Sequence, residues 1–359
     1  MKITFVIFSL RGGGAERMVS RLSNNFVKRG IDVDILLLFT TENRAYTLDN
    51  RVGVFDISFP SIKNKTIKKL RQVFAIRDYI KNKKPEVIIP YIITIVPFVA
   101  LANFGLKNGT KIIGSQRTNP KKISLIRRLI VYPFLKRCDG FVFQTNGARD
   151  CYPNWLKRKS RVIGNIAPDN NCSRHELHKG NEICAVGRLH EAKDFETLIK
   201  AIDIVKKTHS TICLHIYGQG PREESLRELV GNMRLNDNII FEGFSKNVEK
   251  ELQKYDIYVF SSKAEGMPNS LVEAMASGMA CVATDCDYGP SDLIEDGVNG
   301  YLVPVGDFQT MAQRIIHLLE NEEIRLKMMR AAEQIRKKYS EEKIVDEYLN
   351  YAKWVCREH

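Results

Sequence analysis

Short, almost purely apolar runs, separated by stretches with helical periodicity, constrain this chain more tightly than any other feature. In the first half the runs cover residues 3–8, 33–38, 87–89, 111–113, 140–143 and 161–163. In the second half they cover 183–186, 212–217, 238–241, 257–260, 281–284 and 301–303. Intervening segments such as 196–207 and 221–233 gather their apolar residues on one helical face. A strand without a polar face must be covered on both sides, and strands joined through helices run parallel. Each series therefore predicts a doubly wound α/β sheet. A chain of 359 residues has room for two. The polar break at 165–171 is the expected boundary, giving domains over 1–167 and 168–339. A final helix over 340–359 is a candidate to cross back to the first domain. Ligands of open α/β sheets bind beyond the carboxyl ends of the strands, so two Rossmann-like domains are expected to face each other across a cleft.

Charge divides the chain at the same place. Residues 1–170 carry 31 Lys and Arg against 11 Asp and Glu, whereas the remainder is net acidic. The cationic half predicts an anionic partner for that half alone. With 44% hydrophobic residues the chain fills two cores, which excludes disorder. The eight cysteines contain no Cys-x-x-Cys pair, and Cys184, Cys213 and Cys281 sit inside strand-like runs, as reduced, buried thiols do. Cys172, His175 and His178 lack a fourth ligand at zinc-like spacing and read as polar linker. Met1-Lys2 leads straight into a strand and then glycines, unlike a signal peptide. Residues 87–106 are uncharged over twenty positions, but Pro90, Pro97, Asn103 and Gly105 break them into a strand and a short helix rather than a membrane span.

The residues able to do chemistry follow strands. Gly12-Gly13-Gly14 stands between the first strand and a helix, where backbone amides can approach an anion, although the third glycine of a dinucleotide fingerprint is missing. Arg188 and Lys193 follow the first strand of the second half, two cations suited to a diphosphate. In the run 265–278, Glu265 precedes and Glu273 lies within a short helix between Pro268 and Gly278. Two carboxylate oxygens match two ribose hydroxyls, and amides of Asn269, Ser270 and Leu271 at the helix start suit a phosphate. Asp32 and Asp34 form an Asp-x-Asp pair, but at a strand's entry and away from the ligand edge; Asp285 and Asp287 lie at a carboxyl end.

Taken in order, Gly13 to Arg17, Gly187-Arg188-Leu189 with Lys193, Tyr217-Gly-Gln-Gly-Pro221, Phe241-Glu-Gly-Phe244, Glu265-x7-Glu273 and Asp296 to Val303 resemble retaining glycosyltransferase family 4. The resemblance spans essentially the whole chain and implies the GT-B fold, with an acceptor-binding first domain and a nucleotide-sugar-binding second domain. It implies that Arg188 and Lys193 bind the donor diphosphate and act in catalysis with Glu265, which lies by the transferred sugar. It also implies that Glu273 holds the ribose, that Asn269 to Leu271 contact donor phosphate or sugar, and that Gly14 lies near the diphosphate. Many members carry a His near the sugar, in the loop that here reads Gly114-Ser-Gln-Arg117-Thr-Asn-Pro120; Arg117 is then a candidate to face the cleft, without the His role.

The implied activity is retaining transfer of a hexose or N-acetylhexosamine, N-acetylgalactosamine among them, from a UDP-sugar. The implied acceptor is an undecaprenyl-diphosphate-linked oligosaccharide in surface-glycan or glycoprotein-glycan synthesis. No metal and no cofactor besides the co-substrate is expected. Two basic segments support a lipid surface as partner: 63–84 holds nine basic residues, and 121–137 holds six. In the latter, Lys121, Lys122, Arg127 and Arg128 lie beside Ile126, Leu129, Ile130 and Phe134 at helical spacing, which suits an anionic membrane. The expected location is cytoplasmic, peripheral on the inner face of the cytoplasmic membrane. Other readings are a nucleotide-sugar epimerase of the same fold and a non-enzymatic binder of anionic polymers. A nucleic-acid partner is not expected, because aromatic residues are not interleaved with the basic runs.

Overall fold

The computed structural model describes residues 1–39, 44–168, 181–245 and 247–358, with the side chains of Lys122 and Leu125 excepted. Cys172, His175 and His178 lie outside the described residues. The chain divides into two compact units, Met1–Asn165 with Glu342–His359, and Ile166–Glu341.

The first unit runs β1 (Lys2–Ile7), α1 (Gly14–Lys28), β2 (Asp32–Leu37), β3 (Gly53–Asp56), α2 (Lys65–Lys83), β4 (Val87–Pro90) and α3 (Val96–Asn103). It continues with β5 (Lys111–Gln116), α4 (Leu125–Leu135), β6 (Gly140–Phe143), the one-turn helices α5 (Asn146–Asp150) and α6 (Asn154–Arg158), and β7 (Ser160–Val162). The seven strands form one parallel sheet in the order β3-β2-β1-β4-β5-β6-β7. The reversal beside β1 marks where a doubly wound sheet opens a crevice at its carboxyl edge. Strand β3 has no counterpart among the apolar runs of the sequence. It is an edge strand whose four residues Gly-Val-Phe-Asp are only half-buried or exposed, so selection for apolar residues is weak there. Residues 87–106 resolve into β4, a 3-10 turn and α3, and no helix among the described residues is long and apolar enough to cross a membrane.

The second unit runs β8 (Glu182–Val186), α7 (Phe195–Val205), β9 (Cys213–Tyr217), α8 (Glu223–Asn232), β10 (Ile239–Gly243), α9 (Val248–Leu252) and β11 (Ile257–Phe260). There follow α10 (Asn269–Ala276), β12 (Ala280–Thr284), α11 (Pro290–Leu293), β13 (Tyr301–Val303), α12 (Phe308–Glu320), α13 (Glu322–Ala332) and α14 (Ile335–Lys338). Its parallel sheet is ordered β10-β9-β8-β11-β12-β13. Alternate residues feed two cores. Ile183 and Ala185 of β8 pack with Leu198, Ile202 and Ile315 on one face, while Cys184 packs with Tyr258, Leu271 and Met275 on the other. Both faces are thus dry, which is why these strands show no polar alternation.

The last helix, α15 (Glu341–Glu358), belongs to the first unit. Its Tyr351 hydroxyl accepts from the Phe141 amide at 2.7 Å and donates to the Lys159 carbonyl at 2.6 Å, joining the helix to β6 and the segment before β7. A Cβ on Gly140 would stand 2.5 Å from that hydroxyl and 2.8 Å from Val355 Cγ2, so a residue without a side chain lets the helix seat this closely.

Candidate functional site

In the second unit the sequence motifs gather at the carboxyl ends of β8, β9 and β11. The loops after β8 and β9 touch through backbone: the Gly187 amide donates to the Tyr217 carbonyl at 2.9 Å, and the Leu189 amide to the Gln219 carbonyl at 3.1 Å. Gly218, at φ +145°, lies so near that an added Cβ would sit 1.9 Å from the Gly187 carbonyl oxygen. The Tyr-Gly-Gln-Gly-Pro motif therefore sets the position of the Gly187-Arg188-Leu189 loop. Arg188 itself is exposed, and among the described residues it has no hydrogen-bond or ion-pair partner.

Lys193 is held from several directions. It ends the 3-10 turn Glu191–Lys193, and its carbonyl accepts from Ser261 Oγ at 2.8 Å. The Lys263 amide donates to the Ala192 carbonyl at 2.8 Å, and Lys263 Nζ pairs with Asp194 at 3.1 Å. These bonds join the turn to the end of β11. Lys193 Nζ then pairs with Glu265 Oε1 at 2.7 Å and lies 5.4 Å from the centre of the Phe260 ring. Two residues singled out separately in the sequence, 72 positions apart, are thus in direct contact. Their positioning partners Ser261, Lys263 and Asp194 carried no sequence signal, because their role depends on which strand ends lie side by side.

Helix α10 begins at Asn269 with Pro268 at the N-cap position, one residue earlier than a first-turn proline. Proline offers no side-chain acceptor, so the amides of Asn269, Ser270 and Leu271 start a helix that its own N-cap residue leaves uncapped. The helix has eight residues rather than about ten, and ends through Gly278 at φ +71°. Glu273 is its fifth residue and is 8% exposed. The nearby Cys286 thiol is pushed up to about 12 by burial, so it is no nucleophile at neutral pH. The arrangement joins two cations, the start of a helix and two carboxylates at one sheet edge, a set of groups fitted to a diphosphate and the hydroxyls attached to it.

In the first unit, Gly14 is exposed and opens α1 behind the turn of Gly12 and Gly13, at φ +132° and +155°. Arg117 follows β5 and packs over the Tyr91 ring with its guanidinium carbon 4.2 Å from the ring centre. On α4, Ile126, Leu129 and Ile130 are 72%, 69% and 58% exposed, so this stripe is not a core-facing one. Lys121 and Arg127 are exposed, whereas the Lys122 side chain lies outside the described residues. Arg128 is half-buried, and its guanidinium donates to the carbonyls of Ile123 at 3.1 Å and Pro120 at 3.0 Å, bracing the turn before α4. Asp32 and Asp34 both pair with Lys2, at 3.0 and 2.8 Å, and Asp34 also accepts from Tyr79, so the Asp-x-Asp pair is engaged in a local ion-pair network. Among the described residues no three His, Cys, Asp or Glu side chains gather as a metal site.

Comparison with known proteins agrees with this organisation. A family model described as "Glycosyl transferases group 1" matches residues 170–335, and one described as "Glycosyltransferase Family 4" matches 12–167. An "Uncharacterized glycosyltransferase" of Haemophilus influenzae is 26% identical over 97% of this chain and 98% of its own length. A Campylobacter jejuni protein named "GalNAc-alpha-(1->4)-GalNAc-alpha-(1->3)-diNAcBac-PP-undecaprenol alpha-1,4-N-acetyl-D-galactosaminyltransferase" is 27% identical over 97% of both. The crystal structure of Staphylococcus aureus TarM with UDP superposes with a TM-score of 0.83 at 17% identity, over 98% of this chain and 99% of that one, which shows a shared fold. With the two family models following one another along the two α/β units, the chain belongs to the family 4, group 1 glycosyltransferases of GT-B fold.

Proposed function

We propose that the chain is a retaining glycosyltransferase that moves a hexose or N-acetylhexosamine from a UDP-sugar to a lipid-linked oligosaccharide, held in the first unit at a membrane surface. The observation that carries the donor half of this reading is the contact of Lys193 with Glu265 beside the start of α10, with an unpaired Arg188 on the neighbouring loop. As the sugar–phosphate bond breaks, negative charge grows on the diphosphate. Arg188, Lys193 and the α10 amides are the groups that would stabilise it, in the role a metal ion has elsewhere. Glu265, fixed by Lys193, would orient sugar hydroxyls, and Glu273 would accept from the two ribose hydroxyls. Retention follows if the leaving phosphate guides attack on its own face, and the coupling constant of the product's anomeric proton reports it.

The acceptor half rests on surface chemistry. Helix α4 exposes Ile126, Leu129 and Ile130 beside Arg127, and α2 exposes Ile67, Leu70 and Phe74 among its lysines. Apolar residues flanked by cations favour an anionic leaflet, each basic residue adding about 1 kcal/mol near the surface. The undecaprenyl-diphosphate chemistry in the name of the Campylobacter relative, which aligns over 97% of the chain, supports a polyprenyl carrier. The test is mass spectrometry of lipid-linked acceptors incubated with a panel of nucleotide sugars. One added hexose or N-acetylhexosamine is expected, and donor consumption without any acceptor would favour an epimerase instead. Replacing Lys121, Lys122 and Arg127 with Glu, with Arg128 kept for its structural bonds, should release the protein from anionic liposomes at ~0.15 M salt. Unchanged sedimentation of the folded variant would refute the membrane patch.

A further inference from the structure

Arg117 is a cation without a counter-charge. Its Nε donates to Ser115 Oγ at 2.7 Å, its Nη2 donates to the Tyr348 hydroxyl of α15, and its plane packs on the Tyr91 and Tyr348 rings at 4.2 and 5.8 Å. Among the described residues no carboxylate pairs with it, and its Nη1 is closed to solvent with no hydrogen-bond acceptor. The Tyr91 hydroxyl, on a fully buried residue, is likewise closed off and without a partner. Burial pushes the Arg117 pKa down, yet a guanidinium stays protonated at any physiological pH. Leaving a half-buried charge with two closed-off polar groups unsatisfied costs stability at a place where a neutral side chain would avoid it. The place is the ligand edge: Tyr91 and Arg117 each follow directly on β4 and β5, neighbours in the sheet.

We propose that Arg117, with the Tyr91 hydroxyl, is the receptor for an oxyanion, a phosphate or carboxylate, carried by the ligand of the first unit. A planar fork with one unsatisfied N–H, held over the Tyr91 ring and tied by its other nitrogens to Ser115 and Tyr348, is the donor arrangement that takes an oxyanion in a fixed orientation. Tyr348 and Ser115 hold the fork from the other side, so the last helix of the chain positions the receptor. The proposal rests on the transferase reading only in assigning the anion to the acceptor substrate, and its test needs no transfer.

The experiment is calorimetric titration of the full-length protein, its second-unit diphosphate site filled with saturating UDP, with inorganic phosphate, inorganic pyrophosphate and glucuronate, and separately of the free protein with UDP. At least one of the three oxyanions should bind the wild type; phosphate or pyrophosphate would point to a phosphate source and glucuronate to a uronate. Arg117→Gln should weaken that binding at least tenfold, Arg117→Lys less, and both should leave UDP affinity within twofold. Tyr91→Phe removes only a hydroxyl and should weaken the same oxyanion about three- to tenfold, which keeps the test open if Arg117→Gln fails to fold. Absence of binding by all three oxyanions, equal binding in wild type and a folded Arg117→Gln, or a parallel loss of UDP affinity would each overturn the proposal.

Discussion

Gly218→Ala tests whether loop contact in the second unit positions Arg188, the cation proposed to meet the donor phosphate. The new Cβ would lie 1.9 Å from the Gly187 carbonyl oxygen, where a carbon–oxygen contact normally needs about 3.3 Å. The Gly187 peptide must therefore retreat by about 1.4 Å, carrying Arg188 with it and stretching the Gly187–Tyr217 hydrogen bond of 2.9 Å. An L-residue at φ +145° adds backbone strain, and together these destabilise the unit by about 2–3 kcal/mol. For a domain of this size that is roughly 4–12 °C in its unfolding transition. A displacement of about 1 Å in a charge-stabilising group costs about a hundredfold in turnover. Gly231→Ala is the control: it lies exposed in α8 with nothing within 4 Å of its added Cβ, so it should be neutral or stabilise by up to about 1 kcal/mol. Scanning calorimetry and a UDP-release assay on both variants decide the matter. Wild-type melting and turnover in Gly218→Ala would refute the reasoning.

Three further outcomes are expected. Glu273→Gln should weaken donor binding about tenfold or more, since each charge-assisted bond to a ribose hydroxyl is worth about 1.5–3 kcal/mol; fluorescence titration of the folded variant with the donor checks it, and affinity within twofold of wild type would remove the ribose role. Arg188→Ala should lower kcat far more than donor affinity and leave stability alone, because the side chain is exposed and unpaired, and wild-type turnover should persist in excess EDTA; a steady-state split between kcat and KM reads the first, and loss of activity restored by Mg²⁺ would contradict the second. Gly140→Ala should undock α15, because its Cβ meets Tyr351 and Val355 at 2.5 and 2.8 Å; hydrogen exchange across Glu341–Glu358 should rise, and unchanged protection would show that the helix is held elsewhere.

Much of the fold was legible because burial on both faces leaves its mark on every interior strand. Residues 183–186, 257–260 and 281–283 are apolar at each position since the two cores take alternate side chains. Strand β3 was not legible, since an edge strand with only Val54 and Phe55 apolar gives no such signal. At the candidate site, glycines and charged residues at loop positions stood out in the sequence, and the structure brings Lys193 and Glu265 into contact. The groups that hold them, Ser261, Lys263 and Asp194, act through hydrogen bonds and an ion pair between loops distant in sequence. The bonds of Arg128 were not legible, because nothing in a basic run distinguishes the residue that braces a turn. Tyr91 and Tyr348 were silent for the same reason as Ser261: their meaning lies in what the fold sets beside Arg117.

The central claim is that the carboxyl edge of the second sheet binds a nucleoside diphosphate. Hydrogen–deuterium exchange of the full chain with and without saturating UDP, with GDP and ADP in parallel, tests it directly. The account predicts that UDP slows exchange in the Gly187–Lys193 loop, in 217–222 and in 265–273, with the rest of that unit little changed. Protection confined to the first unit, or none from any of the three nucleotides, would contradict it.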